Sequence, residues 1–201
     1  MRVLVVYATT EGQTRKIAER IAARLAATGQ EPTRVDATQA GPQADPAAFD
    51  LTIAAGSLHA GRYQAALVDF VRRHADALNT RPSAFVSVSL SAAGDDPEDW
   101  AGLARCVESF RHETGWTASH LHHAAGAFRF ARYDFLKSWA MRFIAYRRGE
   151  SVDPHADTEY TDWAALDTFV DEAVAAAGQG SATGSATGSA TGSATGSAAG
   201  P

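Results

Sequence analysis

Cysteine and long apolar runs are both scarce in this chain. A single cysteine, Cys106, occurs among 201 residues, which excludes an intramolecular disulfide framework and favours a reducing compartment. No apolar run approaches the length of about 20 residues that a membrane-spanning helix requires, and the first residues are typical of a β-strand rather than of a signal peptide. The sequence therefore predicts a cytoplasmic protein.

Residues 178–201 lack charged and large apolar side chains altogether. They repeat glycine, serine, alanine and threonine, a composition that buries too little surface to offset the conformational entropy of the chain. Residues 1–177 have a normal size for one domain with its own core. We expect one domain over residues 1–177, followed by a disordered tail over residues 178–201.

Positive charge is scarce outside one segment. The net charge is −5, yet residues 128–148 carry six basic side chains against one acidic side chain, so that segment is +5 and the rest is −10. A basic segment on an acidic protein predicts a local anionic partner. No recognised nucleic-acid-binding motif accompanies it, and we expect no nucleic acid partner.

Apolar runs of strand length alternate with helical patterns along the domain. The strand candidates are residues 3–8, 32–35, 51–55, 84–90 and 118–128, and the last two helical patterns span residues 133–146 and 162–176. Such alternation predicts an α/β fold, a doubly wound five-stranded parallel sheet with helices on both faces. Ligands bind these sheets at the carboxyl ends of the strands.

The loop after the first strand contains hydroxyl and glycine residues but no lysine. It therefore differs from the nucleotide-triphosphate loop GxxxxGK[ST] and from the dinucleotide fingerprint GxGxxG. Backbone N–H groups and hydroxyls at a helix start favour a phosphate. A loop without lysine suits a monophosphate ester, for which FMN is the obvious candidate. The alternative is an ordinary strand-to-helix turn with a threonine cap.

The loop at residues 56–63 joins two glycines to a histidine, an arginine and a tyrosine. Glycines let the backbone approach a planar ring, against which Tyr63 or His59 would pack. The alternative is a glycine-rich connection in which Tyr63 only covers the next helix.

Histidines cluster at His112, His120, His122 and His123 without a cysteine or carboxylate group beside them. Strand histidines in a buried sheet are more often hydrogen-bonded core residues, so we expect no metal site.

Several segments together resemble the flavodoxin family, in particular its menaquinone-dependent protoporphyrinogen dehydrogenases of bacterial haem synthesis. The segments are ATTEGQT at residues 8–14, GRY at 61–63, AGAFRFARY at 125–133 and YTDW at 160–163. Many flavodoxin relatives share the first segment, whereas its combination with the last two is more specific. The resemblance spans residues 1–176 and implies the flavodoxin-like sheet order 2-1-3-4-5.

This resemblance implies an FMN site and a redox reaction at the flavin. The family oxidises protoporphyrinogen IX to protoporphyrin IX and passes the electrons to a quinone. The resemblance assigns the FMN phosphate to Thr9, Thr10, Glu11, Gly12, Gln13 and Thr14. It assigns the flanks of the flavin ring to Ser57, Leu58, His59, Gly61, Tyr63, Ser87, Ser89, Leu90, Ser91 and Ala92.

No acid, base or nucleophile triad is implied, because the redox chemistry belongs to the cofactor. His59 is the one histidine in a loop near the ring and is a candidate for proton transfer. The alternative reading of His59 is a surface loop histidine.

The loop after the fourth predicted strand, the third of the loops at this edge, bears on the substrate. It is acidic over residues 92–99, which repels porphyrinogen propionates and anionic lipid. A soluble electron carrier of the flavodoxin type, or another FMN-dependent quinone reductase, is therefore an alternative function.

A signalling receiver domain is excluded, because the end of the first strand lacks the acidic pair that holds Mg²⁺.

The basic segment, in contrast, favours an anionic substrate or an anionic lipid surface. We expect Arg62, Arg129 and Arg132 to contact substrate carboxylates or lipid phosphates. A helix over residues 133–146 has one apolar face with basic flanks, which predicts peripheral contact with the inner face of the cell membrane through residues 128–148. The alternative is a core helix whose basic side chains are simply solvated.

Overall fold

A five-stranded parallel sheet forms the centre of the computed structural model, which describes residues 1–128 and 158–185. The strands lie in the order β2-β1-β3-β4-β5. Their bounds are β1 Arg2–Ala8, β2 Glu31–Asp36, β3 Leu51–Ser57, β4 Ser83–Ser89 and β5 His120–Ala125. The predicted doubly wound sheet and its order are confirmed.

Helices follow the strands as the sequence pattern predicts. They are α1 Gln13–Ala27, α2 Ala65–Arg73, α3 Ala75–Thr80, α4 Pro97–Thr114 and α5 Trp163–Ser185. Short 3₁₀ turns span Ala37–Gln39, Pro42–Ala44, Pro46–Ala48 and Ser91–Ala93. None of the helices in residues 1–128 and 158–185 combines the length and apolarity that a bilayer-spanning segment needs.

Two elements differ from their predicted bounds. The predicted strand 118–128 is interrupted at Gly126, after which β6 (Ala127–Phe128) pairs antiparallel with β7 (Thr158–Glu159). Helix α5 continues to Ser185, so it includes the start of the low-complexity segment, although the three glycines there disfavour helix. The division at residue 177 and the disordered tail stay predictions. The predicted helix 133–146 lies outside the described residues.

The sheet is buried on both faces. On one face, alternate residues of β1 such as Val3 and Val5 pack with α1 and α5. On the other face, Leu4 and Val6 pack with α2, α4 and Trp116. The residues Val3, Leu4, Val5 and Val6 are all 0% exposed, as expected for a strand of a doubly covered parallel sheet.

Paired side chains join α5 to α1. Arg20 donates two hydrogen bonds to Asp167, and Arg24 donates two to Asp171. The pairing with Arg24 lowers the pKa of Asp171. These bidentate contacts lie at the partly exposed rim of the contact between α5 and α1, in which Leu166 and Val170 share a buried cluster with Ile21.

Candidate functional site

A cavity of about 340 Å³ opens at the carboxyl ends of the strands. It is lined by the loops after β1, β3, β4 and β5, where a doubly wound sheet binds its ligands. The lining residues that were predicted as cofactor ligands are Thr9, Thr10, Glu11, Gln13, Thr14, Ser57, Leu58, His59, Gly61, Ser89, Leu90 and Ser91. Ala60, Val88 and Gly126 also line the cavity; they lie in loops predicted at this edge but were not predicted individually as ligands.

The first loop leaves the start of α1 open toward the cavity. Gly12 occupies the N-cap position with φ +97°, and no side chain caps the helix there. Thr9 Oγ1 accepts a hydrogen bond from the Gly12 N–H at 2.9 Å, which closes the loop on itself. The N–H groups in the first turn of a helix have no partner inside the helix. With the helix dipole, these groups favour an anion.

Thr14 provides the clearest sign of a missing polar partner. Its side chain is 0% exposed and lines the cavity, and its hydroxyl has no hydrogen-bond partner among the described residues. A buried hydroxyl without a partner costs about 1–3 kcal/mol. A ligand oxygen that enters the cavity removes this cost, so the residues present fit a phosphate ester.

The second loop is a tight turn with left-handed backbone. Two backbone hydrogen bonds join His59 and Arg62, at 2.9 and 3.0 Å. The residues between them, Ala60 and Gly61, have φ values of +48° and +79°. Positive φ at both central residues is the requirement of a type I′ turn. Ala60 therefore carries backbone strain at the cavity wall.

Gln64, which was not among the predicted site residues, joins the first two loops. Its Nε2 donates to Thr10 Oγ1 at 3.1 Å and to Ser57 Oγ at 2.5 Å. Its Oε1 is buried and has no hydrogen-bond partner in the described part of the chain. A polar residue directly after the second loop was the available signal.

Four predicted cofactor ligands do not line the cavity. Gly12 shapes the first loop, and Ala92 lies in the 3₁₀ turn after β4, where its N–H donates to Ser89 Oγ. The Tyr63 hydroxyl and Ser87 Oγ share a buried hydrogen bond of 2.8 Å. The Tyr63 ring packs edge-on against Phe85 and Phe110, and burial raises its pKa to about 12. Tyr63 and Ser87 are thus core residues beneath the loop.

Gly56 also serves packing instead of ligand approach. A Cβ at this position would lie 2.4 Å from Leu67 Cδ2 and 3.2 Å from Tyr63 Cδ1. The glycine is therefore required because α2 and Tyr63 pack directly on β3. Gly61, by contrast, is required by its positive φ.

Charged residues line two further cavities that adjoin the first and share Cys106 with each other. Asp96, Glu98, Asp99 and Arg105 line the second cavity, of about 360 Å³, which shares Leu58 and Ser91 with the first. Arg62 lies in a third cavity, of about 210 Å³, which shares Gly61 with the first and also contains Cys106, Ser109 and Glu113. Arg129 and Arg132 lie outside the described residues.

The strand histidines pack against aromatic rings. His122 stacks on Phe169 at 5.1 Å, and His123 meets the Trp100 ring edge-on at 5.4 Å. Burial lowers the pKa of both histidines. Within residues 1–128 and 158–185, no group of three or more His, Cys, Asp or Glu side chains is placed to hold a metal ion.

Known proteins match this chain over most of its length. A family profile described as a flavodoxin domain matches residues 4–154. The protoporphyrinogen IX dehydrogenase (quinone) of Escherichia coli K12 is 30% identical over 175 residues, which is 86% of this chain and 94% of the relative. The Leishmania major protein of the same name is 30% identical over 172 residues, 86% of this chain and 74% of the relative.

Solved flavodoxins share the fold. A short-chain flavodoxin associated with a bacterial microcompartment has a TM-score of 0.56 at 15% identity, covering 88% of this chain and 99% of that chain. The flavodoxin of Streptococcus pneumonia TIGR4 has a TM-score of 0.53 at 19% identity, with coverage of 88% and 99%. At these identities the likeness establishes the fold alone.

The strained turn generates a prediction about stability. Ala60→Asn should raise the free energy of unfolding by about 0.5–1 kcal/mol, because asparagine tolerates the left-handed region better than alanine. Urea denaturation measures the change. Ala48→Asn is the matched control, since Ala48 is an exposed alanine without positive φ. An equal or lower stability of Ala60→Asn relative to that control would contradict the turn assignment.

Proposed function

The chain belongs to the flavodoxin family, and from that premise we propose that it oxidises protoporphyrinogen IX and passes the electrons to a quinone. FMN is its cofactor, and the chain is an oxidoreductase. The substrate and the acceptor are proposed from the names of two relatives that are 30% identical over 86% of the chain. The porphyrin product places the proposed reaction in haem biosynthesis.

The observation that carries the proposed site is the buried hydroxyl of Thr14, for which residues 1–128 and 158–185 offer no hydrogen-bond partner, beside a start of α1 that none of their side chains caps. We assign the FMN phosphate to the hydroxyls of Thr9, Thr10 and Thr14 and to the first N–H groups of α1. Neutral donors suffice for a phosphate at a helix N-terminus. The cavity volume of about 340 Å³ lies within the range of about 300–1,000 Å³ that is usual for ligand sites.

The second and third loops are assigned to the flavin ring. When bound, FMN supplies the redox chemistry, which is the uptake of hydrogen from the substrate and the release of electrons to the acceptor. The chain supplies binding and orientation. Leu58 is held against the sheet by its N–H, which donates to Val88 O at 2.8 Å. His59 lines the same cavity and is the proposed group for moving a proton near the ring.

We assign the substrate carboxylates to the side of the cavity that holds Arg62. The neighbouring cavity, which shares Cys106 with that of Arg62, contains Arg105 but also the three carboxylates Asp96, Glu98 and Asp99, and its acidic excess disfavours a dianionic porphyrinogen. The proposal includes a second basic region, Arg129, Arg132 and the rest of residues 128–148. We assign this region to contact either with the substrate or with the inner, cytoplasmic face of the cell membrane.

The same acidic excess supports a second candidate function. A negatively charged rim next to the flavin loops suits docking to a positively charged protein partner. A soluble electron carrier of the flavodoxin type therefore remains the competing proposal, together with an FMN-dependent reductase of another quinone.

The phosphate assignment predicts opposite effects of one substitution on FMN binding and on stability. Thr14→Val should weaken FMN binding at least about tenfold, because a hydrogen bond to a charged group is lost. Without ligand, the free energy of unfolding should stay equal or rise by up to about 1 kcal/mol, because an unpartnered hydroxyl is removed. Fluorescence titration and urea denaturation measure the two effects.

Thr114→Val is the matched control for that experiment. Thr114 is also buried, but its hydroxyl donates to Phe110 O at 2.7 Å. Its replacement should lower the free energy of unfolding by about 1–2 kcal/mol and leave FMN affinity unchanged. Unchanged FMN affinity in Thr14→Val would refute the phosphate assignment.

The proposed reaction is tested by a single turnover without an acceptor. FMN-loaded protein is mixed anaerobically with protoporphyrinogen IX, and the absorbance of oxidised flavin is followed. We expect bleaching much faster than with free FMN, with porphyrin formed alongside. If the bound FMN stays oxidised, the proposal that protoporphyrinogen IX is the substrate is refuted, and the electron carrier is favoured.

A further inference from the structure

The segment Tyr160–Asp162 meets the site at the carboxyl edge of the sheet, yet the proposed function gives it no role. The Tyr160 N–H donates to Gly126 O at 3.3 Å. Asp162 caps α5, because its Oδ1 accepts from the Ala165 N–H at 2.9 Å. Thr161 lies between these two anchors, and so its position is set from both sides.

The Thr161 hydroxyl joins three parts of the fold. It accepts a hydrogen bond from Gln13 Nε2 at 2.9 Å and donates one to Ala125 O at 2.7 Å. Gln13 is the first residue of α1, Ala125 is the last residue of β5, and Thr161 precedes α5. Gln13 and Thr161 are 148 residues apart in the chain. One hydroxyl therefore connects the first loop to the far edge of the sheet.

Two side-chain hydrogen bonds tie the first loop to the rest of the fold. Gln64 holds Thr10 from the side of the second loop, and Thr161 holds Gln13 from the side of α5. The two bonds flank Gly12, whose left-handed backbone turns the chain into α1. A loop with a glycine at its turn loses more conformational freedom on binding unless such contacts order it beforehand.

We infer that Thr161 is a positioning residue for the phosphate half of the FMN site. Its hydroxyl fixes the Gln13 side chain and, through it, the first turn of α1, whose N–H groups face the phosphate. The inference rests on the proposed assignment of residues 9–14 to the phosphate. The competing explanation is that Thr161 only attaches α5 to the sheet, in which case its loss acts on all ligands of the cavity alike.

Riboflavin separates these explanations, since it has the flavin ring but no phosphate. The dissociation constants of FMN and riboflavin are measured by flavin fluorescence for the wild type and Thr161→Val. We expect FMN binding to weaken about tenfold and riboflavin binding to change by less than about twofold. Thr161→Ser keeps the hydroxyl and should restore FMN affinity. Thr168→Val is the control on α5, because Thr168 donates only to its own helix, at Ala164 O.

The inference is overturned if Thr161→Val binds FMN as the wild type does, or if FMN and riboflavin lose affinity equally. Should that variant fail to fold, Thr161→Ala removes the same hydroxyl with a smaller side chain. The same loss specific to FMN is then expected, and wild-type FMN affinity would overturn the inference. If FMN affinity is unchanged in both Thr161→Val and Thr14→Val, the phosphate assignment itself fails. If Thr14→Val weakens FMN binding and Thr161→Val does not, only the proposed role of Thr161 fails.

Discussion

Burial of the central strands on both faces of the sheet determines where the polar loops of this protein meet. β1 is enclosed between β2 and β3 and is covered by α1 and α5 on one face and by α2 and α4 on the other. Charged side chains have no place along such a strand, and the hydroxyls of Ser83 and Ser87 lie in the core only because they are hydrogen-bonded there. Other polar groups collect where the parallel strands end, and the cavity, the open start of α1 and the turn at Ala60 all lie at that edge. The binding site thus follows from the packing of the sheet.

Neutral and charged groups occupy different parts of the surroundings of the cavity. The first loop offers neutral donors and a helix start to a phosphate, while Arg62 and the acidic residues before and within α4 lie in separate neighbouring cavities. Each of these cavities holds both signs, Arg62 with Glu113 in one and Arg105 with three carboxylates in the other. The proposed dehydrogenase would use Arg62 for an anionic substrate, whereas the proposed electron carrier would use the acidic excess for a positively charged partner.

Much of the fold and part of the site were predictable from local patterns. The alternation of strands and helices gave the sheet, and hydroxyls with a glycine and no lysine identified the first loop. Tyr63 and Gly56 look like ligand contacts in the sequence, but the packing of Leu67 and Phe110 that makes them core residues has no local signal. Gln64 and Thr161 were missed for a similar reason, since their partners lie 54 and 148 residues away.

The central claim is that the first loop holds the phosphate of FMN at the carboxyl edge of the sheet. Backbone amide NMR shifts of the protein, titrated in parallel with FMN and riboflavin, test this claim most directly. Both flavins should perturb the second and third loops, while amides that respond to FMN alone should cluster at residues 9–16. FMN-specific shifts that fall elsewhere, or first-loop amides that respond equally to both flavins, would contradict it.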